Sequence, residues 1–363
     1  MRREEYFNFL QNTSESVKPI IKNYLEPFRD INKELYDILM VFVRSRLSSR
    51  LQKPALFRLA YEICGGKDWR KVIPAAVAFE LINISSYQAN SAFDDKLGIL
   101  TKPQKDSQFI ASMISRELSF KAASAIEETF GEQLATRLYS SLSTSNYYIY
   151  LAQHYDLNVL KTDEIENYND ETIFFRDYRN RCFYGSGIIN GQCAYMAGLL
   201  AQGNDEQLTA IREFGEQYGI ALQMINDLGD YIPNNLDPHL QRTFQDQYSD
   251  FKNGRLTLPL YHLLKFGTSE TVNMVRAIIK EKTFDDESLF KITKLLIEEE
   301  TPNYIKHKAK HLVYEAQRHL DFFEDSNISA LLKLMTSIIL TNKYLAAFRK
   351  IALTDKIGSY QYI

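Results

Sequence analysis

Apolar positions recur every three or four residues along most of this chain, and the breaks between such stretches lie far apart. In LTAIREFGEQYGIALQMINDLGDYI, Ile211, Phe214, Tyr218, Leu222 and Ile225 share one stripe, the spacing of an amphipathic helix. From 304 to 350, YIKHKAKHLVYEAQRHLDFFEDSNISALLKLMTSIILTNKYLAAFRK reads as two helices parted at EDSN, with Asp325 or Ser326 capping the second. Alternation at period two is sustained nowhere, which argues against strands. The pattern predicts an all-α, single-domain fold over residues 1–363, with roughly a dozen helices. One long irregular segment stands out, IPNNLDPHLQRTFQDQYSDFKNGRLT (232–257), with two prolines among polar residues.

Composition narrows this picture. The 363 residues are 45% hydrophobic, enough for a large buried core, and the net charge of −3 carries no basic footprint for nucleic acid. The N-terminal MRREEYFNFLQNTSESVKP has no apolar segment of the targeting type, and no uncharged apolar run of about 18 residues occurs. Cys64, Cys182 and Cys193 are odd in number and lack CxxC spacing, so neither a disulfide framework nor a zinc site is expected. These features predict a cytoplasmic protein without a transmembrane segment. GxGxxG, GxxxxGK[ST] and HExxH are absent, and His154, His239 and His262 lack ligand spacing.

The chemistry concentrates in two acidic stretches. In QMINDLGDYIP, Asn226, Asp227 and Asp230 stand at i, i+1 and i+4, which on a helix presents neighbouring oxygens on one face. Crowded carboxylates are costly unless they share a cation, and oxygen-only ligands suit Mg2+ bridging to a phosphate. The competing reading is a solvated helix end stopping at Pro233. Downstream, Arg255 in DFKNGRLTLPL supplies a cation after a polar loop, as charge balance at a metal–diphosphate site requires. The second stretch is SYQANSAFDDKL, where Asp94 and Asp95 end a mostly uncharged run.

These motifs resemble the trans-isoprenyl diphosphate synthases, or polyprenyl synthetases. The family's second aspartate-rich region runs GxAFQIxDDxxDY and then DLxxGKxTLPL; the chain has GIALQMINDLGDY (219–231) and DFKNGRLTLPL (250–260). SGIINGQCAYMAGLLAQGNDEQLTAIREFGEQYG is similar to the preceding helix pair. SSRLQKPALFRLAYEICGG resembles GGKRLRPxLxLLxxxxxGG, and AAVAFELINISSYQANSAFDD resembles AAAVELIHTASLIHDDIMD. With the C-terminal helices, the likeness spans residues 40 to 350.

The resemblance implies an isoprenoid synthase fold around an apolar cavity, and a set of site residues. The first aspartate-rich motif falls on Asn90, Ser91 and Asp94, with Asp95 just beyond it, so two of three carboxylates have become neutral. Asp94, Asp95 and Asn90 on one side, and Asn226, Asp227 and Asp230 on the other, are the implied Mg2+ ligands; Gln223, Asp227 and Asp230 are the implied catalytic residues. Arg50 and Lys53, with Asn83, match the acceptor-diphosphate site, and Arg255 replaces the family's Lys. The family's Arg pair after the first motif is missing from LGILTKP, where only Lys102 is basic, and its Lys-Thr pair falls on Gly185-Ser186. Asn226 also resembles the NDxx(S/T)xxxE motif of terpene cyclases, although Asn234 stands where that motif has Glu. By likeness to the same cyclases, Arg179 and Arg181, next to Arg176, are candidates for the allylic diphosphate; the alternative is a solvated helix face of neighbouring charge pairs. Small Ser85 and Ser86 would let a growing chain pass, with Tyr87 and Phe93 narrowing the way.

In the family, an allylic diphosphate ionises and a second substrate supplies the nucleophilic double bond. A Mg2+-dependent prenyltransferase of isoprenoid biosynthesis is therefore the leading expectation, acting on an allylic prenyl diphosphate with isopentenyl diphosphate or another acceptor. An inactive regulatory subunit of a heteromeric synthase and a terpene cyclase-like lyase are the alternatives. The resemblance further implies a homodimer, or a heterodimer with an active synthase.

Overall fold

The computed structural model describes residues 3–94, 105–233 and 247–355. Among them, fifteen helices of nine residues or more and three single turns account for most of the described residues. The only β-type pairing in the described residues is one isolated bridge, Lys161 to Arg255. In chain order the longer helices are α1 (Arg3–Leu25), α2 (Lys33–Ser48), α3 (Gln52–Ile63), α4 (Ile73–Phe93), α5 (Lys105–Ser124), α6 (Glu132–His154), α7 (Glu171–Cys182) and α8 (Ile188–Leu200). They continue with α9 (Asp205–Leu228), α10 (Leu258–Phe266), α11 (Ser269–Glu281), α12 (Asp286–Glu298), α13 (Thr301–His319), α14 (Asn327–Ile339) and α15 (Lys343–Asp355). No helix among the described residues is long and apolar enough to cross a membrane.

The count exceeds the expected dozen because short polar caps cut the C-terminal part finely. Thr268, Asp285 and Ser326 each accept a backbone N–H as N-caps of α11, α12 and α14. Ser326, not Asp325, is therefore the cap after the EDSN turn. The predicted second helix is itself two, because Asn342 accepts from Tyr344 N and Leu345 N at 2.8 and 3.3 Å and starts α15 afresh.

The helix that carries most of the first motif, α4, is buried on nearly every side, and Ala, Val, Phe, Leu and Ile around its whole circumference explain why. It packs along α5 through serines. Ser85 Oγ donates to the Ser112 carbonyl and Ser112 Oγ returns a bond to the Ser85 carbonyl, both at 2.9 Å. Ser115 Oγ donates to Gln88 Oε1 at 2.8 Å. Small side chains bring the two backbones close, and each buried hydroxyl finds an acceptor.

A second close seam joins α8 to α9. A Cβ at Gly215 would stand 2.6 Å from the Asn190 carbonyl oxygen, and one at Gly219 would stand 2.4 Å from that of Ser186. Only glycine allows this approach. α9 starts with a capping box, Gln207 N to Asn204 Oδ1 at 2.9 Å and Asn204 N to Gln207 Oε1 at 3.0 Å. Ile211, Phe214, Tyr218 and Ile225 are buried as the stripe predicted, while Leu222 faces a cavity.

Candidate active site

The cavity, about 370 Å3 in volume, opens between α2, α3, α4, α6, α8 and α9. Phe42, Ile84, Ile149, Ile189 and Leu222 give it an apolar side. Among the described residues its wall carries four cationic side chains, Arg46, Lys53, Arg181 and Arg255, and three carboxylates, Asp156, Asp227 and Asp250. Carboxylates and cations interleave into three clusters.

The first cluster centres on Asp227, near the end of α9. Its Oδ2 accepts from Tyr178 OH at 2.6 Å and Arg181 Nη1 at 2.7 Å, and its Oδ1 accepts from Gln223 Nε2 at 2.9 Å. Arg181 also donates through Nε to Asp156 Oδ1 at 2.8 Å, so one buried guanidinium joins α6's end to α9. Burial pushes the Asp156 carboxyl up to about 6 despite that pairing. Burial opposes the Arg181 charge too, but Asp156 and Asp227 hold it well above its ordinary value.

The second cluster centres on Arg255. Leu256 N donates to the Leu160 carbonyl at 2.8 Å and Thr162 N to that of Gly254 at 2.9 Å, which fixes the loop that carries it. Arg255 Nη1 reaches Asp94 Oδ2 at 3.2 Å and Asp250 Oδ1 at 3.1 Å, and its Nη2 pairs with Asp94 Oδ1. Burial lowers its guanidinium to about 10. Asp94, at the C-cap of α4, is thus held by the cation of the other motif, 161 residues away.

The third cluster lies where α2, α3 and α4 meet. Lys53 Nζ donates to Asn190 Oδ1 at 2.9 Å, and Asn190 Nδ2 donates in turn to the Ser186 carbonyl at 2.7 Å. Burial lowers the Lys53 ammonium to about 8. Arg46 Nε and Nη2 donate to Glu80 Oε1 at 3.1 and 2.9 Å. Asn83 is buried in the wall nearby.

Several expectations change on this geometry. Asp230 is not on the helical face of Asn226 and Asp227. α9 ends at Leu228, and Asp230 sits in the following 3-10 turn, outside the cavity wall. There Oδ1 accepts from Ser249 N and Oγ at 3.0 and 3.1 Å, and Oδ2 from Asp250 N at 3.0 Å. It anchors the loop of Asp250 and Arg255. Arg50 is exposed and absent from the wall, with its guanidinium 4.8 Å above the Phe7 ring. Of the α7 arginines, Arg181 lines the cavity, whereas Arg179 is exposed and Arg176 pairs with Asp177 at 2.9 Å. Asn90 lines the wall, but its Oδ1 already accepts from Gln153 Nε2 at 3.0 Å. Gln223, Asn226, Gly185 and Ser186 also reach the wall. Ser85 faces α5 rather than the cavity, and Phe93 packs edge-on to Phe109, leaving Ser86 and Tyr87 as wall residues. His262 is buried against Thr301, and His154 is exposed. Asp95, Lys102, Asn234 and His239 lie outside the described residues.

The implied Mg2+ can be tested against these donors. Both oxygens of Asp227 and both of Asp230 accept hydrogen bonds, and Asp94 is chelated by a guanidinium. Among the described residues no three His, Cys, Asp or Glu side chains are grouped to hold a metal ion. Among the described residues, Asp94, Asp227 and Asp230 are thus turned to arginine and N–H or O–H donors, and an ion at the site that the motifs imply would share these carboxylates with those partners or replace them.

Sequence reasoning passed over Arg46, Asp156, Gln153, Tyr178, Asn190 and Asp250. Asn190 and Asp250 stand inside quoted motifs but were given no role there, and Arg46, four residues before Arg50, has no signal of its own. Only Asp156 and Gln153, at i and i−3 near the end of α6, had a pairing that helical spacing could have offered.

The family model for polyprenyl synthetases matches residues 106–296, more than half of the chain. Octaprenyl diphosphate synthase of Haemophilus influenzae is 25% identical over 170 residues, 46% of this chain and 49% of that protein. The Escherichia coli octaprenyl diphosphate synthase is 30% identical over 128 residues, 34% of this chain and 38% of its own length. The chain thus spans half or less of the length of these relatives. Solved structures extend the likeness of the fold. Geranylgeranyl pyrophosphate synthetase of Pyrococcus horikoshii superposes with a TM-score of 0.73 at 20% identity, over 94% of this chain and 99% of its own. A polyprenyl synthase of Caulobacter crescentus, complexed with calcium and isoprenyl diphosphate, gives 0.74 at 13% identity, over 93% and 98%. The all-α class predicted from the helical pattern and the isoprenoid synthase fold implied by the motif resemblance are the fold observed, and the chain belongs to the polyprenyl synthetase family.

Proposed function

We propose that this protein binds an allylic prenyl diphosphate in the cavity and transfers its prenyl group to an acceptor, isopentenyl diphosphate being the first to test. The observation that carries the reading is the wall itself, which sets Arg46, Lys53, Arg181 and Arg255 beside an apolar face. An anionic headgroup needs the first, and an isoprenoid tail the second. In the transfer, the allylic C–O bond breaks with its electron pair on the diphosphate. The acceptor double bond then attacks the carbocation, and a proton leaves the adduct. Arg181 stabilises the departing negative charge, the apolar wall excludes water, and Gln223 orients Asp227. Asp227 and Asp94 are already paired with Arg181 and Arg255.

That engagement also favours a second reading, a subunit that binds prenyl diphosphates without turning them over and assembles with an active synthase. We read the chain as one domain, in the cytoplasm because its three cysteines are free and buried. It would dimerise through faces that expose Ile110 and Met113 on α5 and Tyr147 and Tyr150 on α6.

The deciding experiment incubates purified protein with geranyl, farnesyl or geranylgeranyl diphosphate, with and without isopentenyl diphosphate, in Mg2+ and in EDTA. A longer prenyl diphosphate formed only with isopentenyl diphosphate establishes the transferase. Hydrocarbon or alcohol from the allylic substrate alone supports a cyclase-type lyase instead. Binding without turnover of any pair supports the inactive subunit.

A further inference from the structure

We propose that Arg46, at the end of α2, is the cation that acts with Lys53 to receive the acceptor's diphosphate, in the place that the family resemblance gives to Arg50. The inference rests on the transferase reading above. Arg50 is turned away, exposed over Phe7 and missing from the wall, whereas Arg46, one helical turn earlier, lines the cavity.

Its guanidinium is held from two sides by α4. Nε and Nη2 donate to Glu80 Oε1, and the group lies 5.3 Å from the centre of the Tyr87 ring. Glu80 and Tyr87 are seven residues apart, so they share a face of α4 and fix the guanidinium plane together. Glu80 is fully buried and its pairing uses only one edge of the fork. Nη1 has no acceptor among the described residues. Lys53 has the same character, with one N–H given to Asn190 and no carboxylate bonded to it. Both groups share the wall with Ser48, Ser49 and Asn83. α3, which starts at Gln52, has no side-chain N-cap, so its first backbone N–H groups add positive potential at this end of the cavity. An oriented fork and a buried ammonium side by side match a diphosphate monoester better than a single flexible cation does.

The test is calorimetric binding of isopentenyl diphosphate and, separately, geranylgeranyl diphosphate to the full-length protein and its variants. Arg46→Gln should weaken isopentenyl diphosphate about 10- to 100-fold while changing geranylgeranyl diphosphate less than about twofold. Arg50→Gln should leave both within about twofold, and Arg46→Lys should restore only part of the loss. Because Arg46→Gln strands the buried Glu80 carboxylate, the double variant Arg46→Gln/Glu80→Gln serves as its folding control. Weakening that persists in the double variant at a wild-type melting temperature supports the assignment. Unchanged isopentenyl diphosphate binding by Arg46→Gln, a loss of the same size with Arg50→Gln, or equal weakening of both ligands would overturn it. Wild-type protein that binds no prenyl diphosphate would instead overturn the transferase reading, and this inference with it.

Discussion

Lys53 shows how a single side chain couples stability to ligand binding. Its ammonium is buried against an amide, and folding lowers it from the usual 10.5 to about 8. A lysine with a depressed pKa costs stability wherever it is charged, so the cost is present below pH 8 and vanishes as the pH rises towards 10.5. Lys53→Met should therefore raise the unfolding free energy at pH 7 by about 1–3 kcal/mol, with no gain near pH 10.5, as urea titrations would show. The same variant should lose diphosphate binding. In the wild-type protein, binding should fall as the pH passes above about 8, because the neutral amine cannot pair with the anion, and binding below that pH should not need proton uptake. Arg181 is the opposite case. Arg181→Met leaves Asp156 and Asp227 buried without their counterion and should cost about 3–5 kcal/mol by denaturant unfolding. Unaltered stability in that variant would mean that water reaches the pair freely.

At the scale of elements, the site depends on helices that approach unusually closely. The α8–α9 seam holds Asn190 and Ser186 against the face that carries Gln223, Asn226 and Asp227. Gly219→Ala would place a methyl 2.4 Å from the Ser186 carbonyl oxygen, so α9 must move away. The expected cost is about 1–3 kcal/mol in thermal or urea unfolding, with weaker diphosphate binding as Lys53 loses its Asn190 partner. The end of α9 explains why the acidic motif misled the helical reading. Spacing at i, i+1 and i+4 assumes the helix continues, but the chain tightens at Gly229 into a 3-10 turn that swings Asp230 towards the Ser249 loop. Periodicity reports which face a residue occupies within an element and says little about where that element stops.

For the whole molecule, residues exposed on α5 and α6 make assembly testable. If those faces dimerise, Met113→Glu or Tyr147→Glu should convert a dimer to a monomer in sedimentation velocity, with secondary structure unchanged by circular dichroism. The amino-acid order alone determined the all-helical class, the buried stripe of α9, the family, and the presence of Lys53, Asn83, Gln223, Asp227 and Arg255 in one cavity. The class and the stripe follow from local periodicity, and the family and the cavity residues from the resemblance of motifs that each lie within one helix or one loop. Tertiary structure alone decided the charge pairing. Arg255 meets Asp94 across 161 residues, Arg181 meets Asp227 across 46, and Arg46 meets Glu80 across 34. Whether a carboxylate faces an ion, a ligand or an arginine depends on which distant side chain packs beside it once the core has closed. Linear spacing does not encode that distance.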